Sequence, residues 1–173
     1  MKGKVIVLGA AAVALYASHG VPGTHTAAGT SNGPVTSGSL VSDQQQFGTR
    51  LAGDTGLNPG VITAWLLAEE SGGAAARRQA VGNNDWLNVG YTDSGTYGSS
   101  DNIWGSPVSA ADATASWLKG ADSIPGYGAA SSGIRAIVAS AGQSPSAQIA
   151  AIRNSGWASS GYPDLASLYQ SAA

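Results

Sequence analysis

Cysteine is absent, histidine occurs only twice and charges are few, and each shortage closes off a class of chemistry. Without cysteine there are no disulfides and no thiolate metal sites. A cysteine-free chain is indifferent to redox compartment, so an extracellular life stays open. His19 and His25 both lie in the N-terminal segment, which excludes a histidine-based triad or zinc site from the folded body. Charged residues make up 10 % of the chain and the formal net charge is −2. A nucleic-acid surface needs an excess of lysine and arginine, so no nucleic-acid partner is expected. The acids do not cluster at ligand spacing, so no metal or other cofactor is expected either. At 173 residues the chain is long enough for one domain and too short for two comfortable ones.

What is present divides the chain into three parts. Met1-Lys2-Gly3-Lys4 precedes an apolar run from Val5 to Ala17, a basic n-region followed by an h-region. The run is about 13 residues, short of the ~20 that span a bilayer comfortably. It reads first as a secretory signal cleaved after Ala17, second as a short membrane anchor, and last as a buried core helix. From Ser18 to Val41 the chain is mostly Gly, Ser, Thr, Pro and Ala. That composition cannot bury enough surface to offset its ordering entropy, so a flexible tether is expected over residues 18–41. The folded body is then residues 42–173.

The body reads as mainly helical. Ser42 can cap a helix running to Gly56, with Phe47 and Leu51 at i, i+4. Asn58 can cap the next, with Pro59 at its first position. Ala74 to Val81 can add a helical turn. Gly82 to Pro107 is rich in Gly, Asn, Asp, Ser, Tyr and Trp, which suits turns and a short hairpin. Helices resume at Ser109–Leu118, at Ser132–Ala141 and at Ser144–Asn154, where Ser144-Pro145 repeats the cap-then-proline pattern. A short helix over Pro163–Gln170 closes the chain.

The most informative stretch is Ala64-Trp65-Leu66-Leu67-Ala68-Glu69-Glu70-Ser71-Gly72-Gly73. It places two carboxylates in the last turn of an apolar helix, beside the negative end of the dipole. That end disfavours a carboxylate, as does partial desolvation beside Trp65 and the leucines, and both effects raise a carboxyl pKa. At about 100° per residue, Val61, Ile62, Trp65 and Leu66 define the apolar face, with Ala64 and Ala68 at its margin. Glu69 lies roughly 40° from the centre of that face and Glu70 roughly 140° away. Glu69 is the candidate acid and Glu70 its alternative; the plainer reading lets both fray into water before Gly72-Gly73.

Downstream, Asn83-Asn84-Asp85-Trp86-Leu87-Asn88-Val89-Gly90-Tyr91-Thr92-Asp93 mixes amides, carboxylates and aromatic rings. Flat apolar faces stack on sugar rings while Asn and Asp exchange hydrogen bonds with hydroxyl and acetamido groups. The competing reading is a turn-rich loop whose Asn and Gly residues supply positive φ. Trp86 serves equally as a core plug, and Trp157 reads as one.

Ala-Trp-x-x-Ala-Glu at 64–69, followed by Asn-Asn-x-x-Leu-Asn at 83–88, resembles lysozyme-like peptidoglycan hydrolases, including the transglycosylase-type domains of phages and of actinobacterial secreted or phage-derived proteins. The tail Ala151-Ile152-Arg153-Asn154-Ser155-Gly156-Trp157-Ala158, with Tyr162, is similar to the closing segment of such domains. The likeness covers most of residues 42–162. It implies a lysozyme-like, mainly α (α+β) domain with one irregular or short-hairpin segment after the catalytic helix, and a glycan strand of peptidoglycan as partner. In the family the glutamate ending the early helix is the catalytic acid. The Ala-Trp-x-x-Ala-Glu anchor selects Glu69, whereas the Glu-Ser-Gly pattern of soluble lytic transglycosylases aligns to Glu70-Ser71-Gly72. Their Gly-Leu-Met-Gln segment is absent, its place taken by Leu87-Asn88-Val89-Gly90.

The resemblance implies a glycosidase acting between N-acetylated sugars, as a lysozyme or a lytic transglycosylase. Asn84, Trp86, Asn88, Tyr91, Asp93 and Tyr162 are its candidate substrate-binding residues, with Asn88 and Tyr91 orienting the N-acetyl sugar and Tyr162 closing the groove. The oxocarbenium-like centre falls to Asp93, to Asp85 positioning water, or to the substrate's own acetamido group. An exported, envelope or virion location follows, with membrane contact through residues 1–17. The alternatives are a non-catalytic wall-binding or virion structural module and a helical adhesion protein.

Overall fold

Four helices among the described residues start the same way, with a short polar side chain folded back onto the first free amides. Asn58 Oδ1 accepts from the amides of Gly60 (2.9 Å) and Val61 (3.3 Å). Ser106, Ser131 and Ser144 do the same through Oγ for Ser109, Ile134 and Ala147. Three of these caps are followed directly by proline, whose missing N–H costs nothing at a helix start. A computed structural model describes residues 40–70, 84, 86–89, 104–124, 128–158, 162 and 164–172, apart from the side chain of Glu70.

Among them are helices α1 (Ser42–Thr55), α2 (Pro59–Glu70), α3 (Pro107–Leu118), α4 (Ser132–Ala139), α5 (Pro145–Asn154) and α6 (Leu165–Ala172). Strands β1 (Ser123–Ile124) and β2 (Gly128–Ala129) pair antiparallel, Ser123 with Ala129 and Ile124 with Gly128. The described fold is mainly helical, as expected.

The differences from expectation have local causes. Ser42 is the first helical residue of α1 rather than its cap. Val41 holds the cap position, and Gln44, itself buried, folds back so that its Oε1 accepts from the Val41 amide at 3.2 Å. Leu40 and Val41 pack against the core, so the body takes in the end of the expected tether. Helix α3 begins at Pro107, two residues before the expected Ser109, because Ser106-Pro107 carries the cap-then-proline pattern. Helix α4 stops at Ala139, where Ser140 Oγ turns back to donate to the Ile137 carbonyl at 2.6 Å. Helix α6 begins at Leu165 rather than Pro163, and the β1–β2 hairpin was not anticipated. The expected signal or anchor over residues 1–17, the helical turn at 74–81 and the hairpin within 82–107 fall on residues outside those described, save 84, 86–89 and 104–107. Among the described residues, no helix is long and apolar enough to cross a membrane.

Helix α2 is the centre of the body. Val61, Ile62, Ala64, Trp65, Leu66 and Leu67 are all buried, more of its circumference than one amphipathic face provides. It packs against α1, α5 and α6, while α3 lies on α1 and α4 bridges α3 and α5. Gly48 lets α1 approach closely, since a Cβ there would lie 2.9 Å from Leu66 Cδ1. Buried Gln148 on α5 ties down the start of α2: its Oε1 accepts from the Asn58 amide at 2.8 Å and its Nε2 donates to the Gln143 carbonyl at 3.0 Å.

Two glycines inside helices distinguish close packing from mere propensity. A Cβ at Gly133 on α4 would meet the Ser155 carbonyl oxygen at 2.5 Å, whereas one at Gly53 on α1 would meet nothing within 4 Å. Gly133→Ala is therefore expected to destabilise the protein by about 1–3 kcal/mol. Gly53→Ala is expected to stabilise it by about 0.5–1 kcal/mol through chain entropy. Urea midpoints at unchanged m value check both signs.

Candidate active site

Glu69 closes the buried face of α2. It stands four residues after Trp65, so the two side chains share one side of the helix. Glu69 is 5 % exposed. Its Oε1 accepts a 2.6 Å hydrogen bond from the indole Nε1 of Trp157, a residue 88 positions later in the chain. The side chain of Asn88 hydrogen-bonds the same carboxyl.

Each partner is held by its own local structure. After α5, Ser155 Oγ donates to the Ile152 carbonyl (2.7 Å) and accepts from the Trp157 amide (3.0 Å). Gly156 takes φ 79°, which turns the chain inward. The Trp157 ring then meets Trp65 edge-on at 4.7 Å and Trp117 at 5.8 Å. Such aromatic pairs contribute about 0.5–1.5 kcal/mol each beyond area burial. Trp117 is fixed in turn by donating from Nε1 to the Gly128 carbonyl at 2.8 Å, which links α3 to the hairpin.

Asn88 sits between buried neighbours, Trp86 and Leu87 on one side and Val89 on the other. Its φ of 56° is left-handed, a conformation asparagine tolerates better than most residues. Three apolar anchors therefore pin the loop while Asn88 turns its amide to Glu69.

Burial pushes the Glu69 carboxyl up from 4.5 to about 7, against the Trp157 and Asn88 hydrogen bonds, which pull it down. Near neutrality the group is thus present in both protonation states, as one residue serving first as acid and then as base requires. The ionised form costs the fold about 3 kcal/mol. Burial of Ile62, Trp65, Leu66 and Leu67 on the same helix, at about 1.5–3 kcal/mol for each large side chain, exceeds that cost.

The other predicted site residues divide. Trp86 is fully buried in the core, so it cannot offer a face to a sugar ring; the core-plug alternative describes it. Asn84, with φ 58°, donates from Nδ2 to the Trp104 carbonyl at 2.6 Å, a bridge between the loop and the segment leading into α3. Its amide donor is therefore engaged structurally. Tyr162, with φ 47°, is partly buried against the core, and its carbonyl accepts from the Leu165 amide at the start of α6. Tyr91, Asp93 and Asp85 lie outside the described residues, as does the Glu70 side chain. Among the described residues, no three His, Cys, Asp or Glu gather as a metal site. A groove of about 700 Å³ between α1 and the start of α3, lined by Gln45, Thr49, Arg50 and Val108 among others, contains none of the predicted site residues.

Sequence reasoning missed Trp157 as a partner of the acid. It lay within the closing Ser-x-Trp-Ala segment, yet nothing in the spacing distinguishes an indole that fills the core from one that also donates to a carboxyl.

Because the folded pKa of Glu69 is raised, its contribution to stability is intact below pH 4.5 and is lost as pH rises through about 7. Glu69→Gln keeps an oxygen for the Trp157 N–H and removes the charge. The variant is expected to match the wild type near pH 4.5 and to exceed it by about 2–3 kcal/mol above pH 8, checked by urea melts across the pH range. No family model, curated protein or solved structure matches the chain.

Proposed function

We propose that the chain is a peptidoglycan-degrading glycosidase that cleaves the glycan strand between N-acetylated sugars, with Glu69 as general acid and then base. One observation carries the reading: a carboxyl buried at the end of an apolar helix, raised to about 7 and held by Trp157 and Asn88. Such an acid keeps its proton at the pH where a glycosidic oxygen must receive one. The lysozyme-like spacing of Ala-Trp-x-x-Ala-Glu and Leu-Asn supplies the substrate class.

The chemistry balances with one carboxyl. As the bond from C1 to the glycosidic oxygen breaks, the oxygen keeps the electron pair and takes the Glu69 proton. The resulting carboxylate then removes a proton from the nucleophile that closes on C1. With the sugar's own 6-hydroxyl as nucleophile the product is a 1,6-anhydro sugar; with water it is a reducing end. Either way Glu69 ends protonated and ready for the next turnover. Asn88 hydrogen-bonds the acid, and in this reading its amide also orients the N-acetyl sugar.

Purified cell walls digested with the full chain, followed by mass analysis of the new sugar ends, test the reading. Glu69→Gln is expected to lower cleavage by about 10²–10⁴-fold, while Glu70→Gln stays within a few-fold of wild type. The wild-type rate is expected to fall as pH rises through about 7, where the acid loses its proton. Wall binding that survives both substitutions, with no new ends from the wild type, would point to the non-catalytic module instead.

A further inference from the structure

We propose that Trp157 is a positioning residue that fixes which oxygen of Glu69 carries the proton, leaving Oε1 as the acceptor and assigning the acidic hydrogen to Oε2. An indole N–H can only donate, since its nitrogen offers no lone pair. At 2.6 Å from Oε1, it requires that oxygen to present a lone pair in both protonation states. In a neutral carboxyl the carbonyl oxygen is the better acceptor, so the hydroxyl is the other oxygen. Asn88 is the adaptable partner, because its amide can accept from an acid or donate to a carboxylate. The role in catalysis rests on the function proposed above; the placement of the proton does not.

The donor is built not to move. Its ring is held edge-on between Trp65 of α2 and Trp117 of α3. Its backbone amide is bonded to Ser155 Oγ, and Ser155 packs so close to α4 that a Cβ on Gly133 would lie 2.5 Å from its carbonyl oxygen. Among the described residues, the titratable groups on the elements around α2 leave Glu69 to these two neutral partners. On α1, Arg50 is paired with Asp54 and with Asp112 of α3, and Asp43 is partly exposed at the first turn. Arg153 on α5 and Asp164 before α6 are exposed. Tyr169 of α6 lies where a Cβ on Gly60 would stand, about 13 Å from Glu69 along the α2 axis at ~1.5 Å per residue.

The chain has five tryptophans and only two glutamates, Glu69 and Glu70, so isotopic labels report the pair directly. In full-length protein labelled with 15N-tryptophan and 13C-carboxyl glutamate, the Trp157 indole resonance is expected to shift with a single inflection near pH 7, together with the Glu69 carboxyl. That shift should vanish in Glu69→Gln. Trp157→Phe, which keeps a ring and removes the donor, is expected to raise the Glu69 titration and the alkaline limb of wall cleavage together, with about a tenfold loss of rate. Trp117→Phe loosens the packing but leaves the donor, and should leave the Glu69 titration in place. An indole resonance flat across this range, or one indifferent to Glu69→Gln, would overturn the proposal without any variant having to fold. Equal movement of the titration by Trp117→Phe would also overturn it, by reducing Trp157 to packing. If the resonances titrate together but the wild type cuts no walls, the glycosidase reading fails and the proton placement stands.

Discussion

The hydrogen bond from Trp157 to Glu69 joins the end of the central helix to the turn that follows α5, across 88 residues of sequence. The turn depends on Gly156 at positive φ and on Ser155 bonding both ways along the chain. Its distance from α4 depends on Gly133 having no side chain. The indole depends on Trp117, and Trp117 on the hairpin carbonyl of Gly128. A carboxyl taken out of water is tolerated only where a donor meets it, because an unpaired buried charge costs several times what a typical hydrogen bond contributes. Helix α2 and the turn after α5, far apart in the chain, are thus constrained by one acid.

The parts of this arrangement visible in the sequence are those whose physics is local. A cap followed by proline needs no knowledge of the rest of the molecule, and Asn58 and Ser144 do what their side chains dictate. The same pattern stands at Ser106-Pro107 and starts α3 two residues before the expected Ser109. The wheel also worked for Glu69, because its angle from Trp65 is set by helix geometry alone. It understated Leu67, which is buried because α2 is surrounded rather than laid against a single surface. Periodicity detects one apolar face and is silent on a helix covered all round.

What was hidden depends on contacts distant in sequence. Five tryptophans look alike in a sequence, yet Trp86 fills the core without an indole partner and Trp157 fills it while donating to the acid. Gln148 shows the same limit: a polar residue on α5 gave no sign that it would be buried to satisfy the amide of Asn58. The loop residues show why two readings of one asparagine need not compete. Asn84 and Asn88 both take the left-handed backbone that the turn interpretation predicted. At Asn84 the side chain goes on to a structural bridge, and at Asn88 it goes on to Glu69. Backbone tolerance decides that an asparagine can stand there; the neighbouring element decides what its amide does.

The same reasoning explains why two adjacent acids are not two copies of one site. Consecutive helical residues point about 100° apart, so two adjacent acids cannot share one direction from the helix. Glu69, at i+4 from that tryptophan, receives the Trp157 donor. Burial then raises the carboxyl beyond what the two hydrogen bonds can restore. The magnitudes favour this order: desolvation acts on the whole charge, whereas each neutral donor stabilises it by about 1.5–3 kcal/mol. A stronger donor in place of the indole, such as a guanidinium, would hold the carboxyl ionised at neutral pH and, on the glycosidase reading proposed above, remove the proton that a leaving oxygen needs. A neutral, immobile, donor-only partner is therefore what an acid of this kind requires: it orients the group without ionising it.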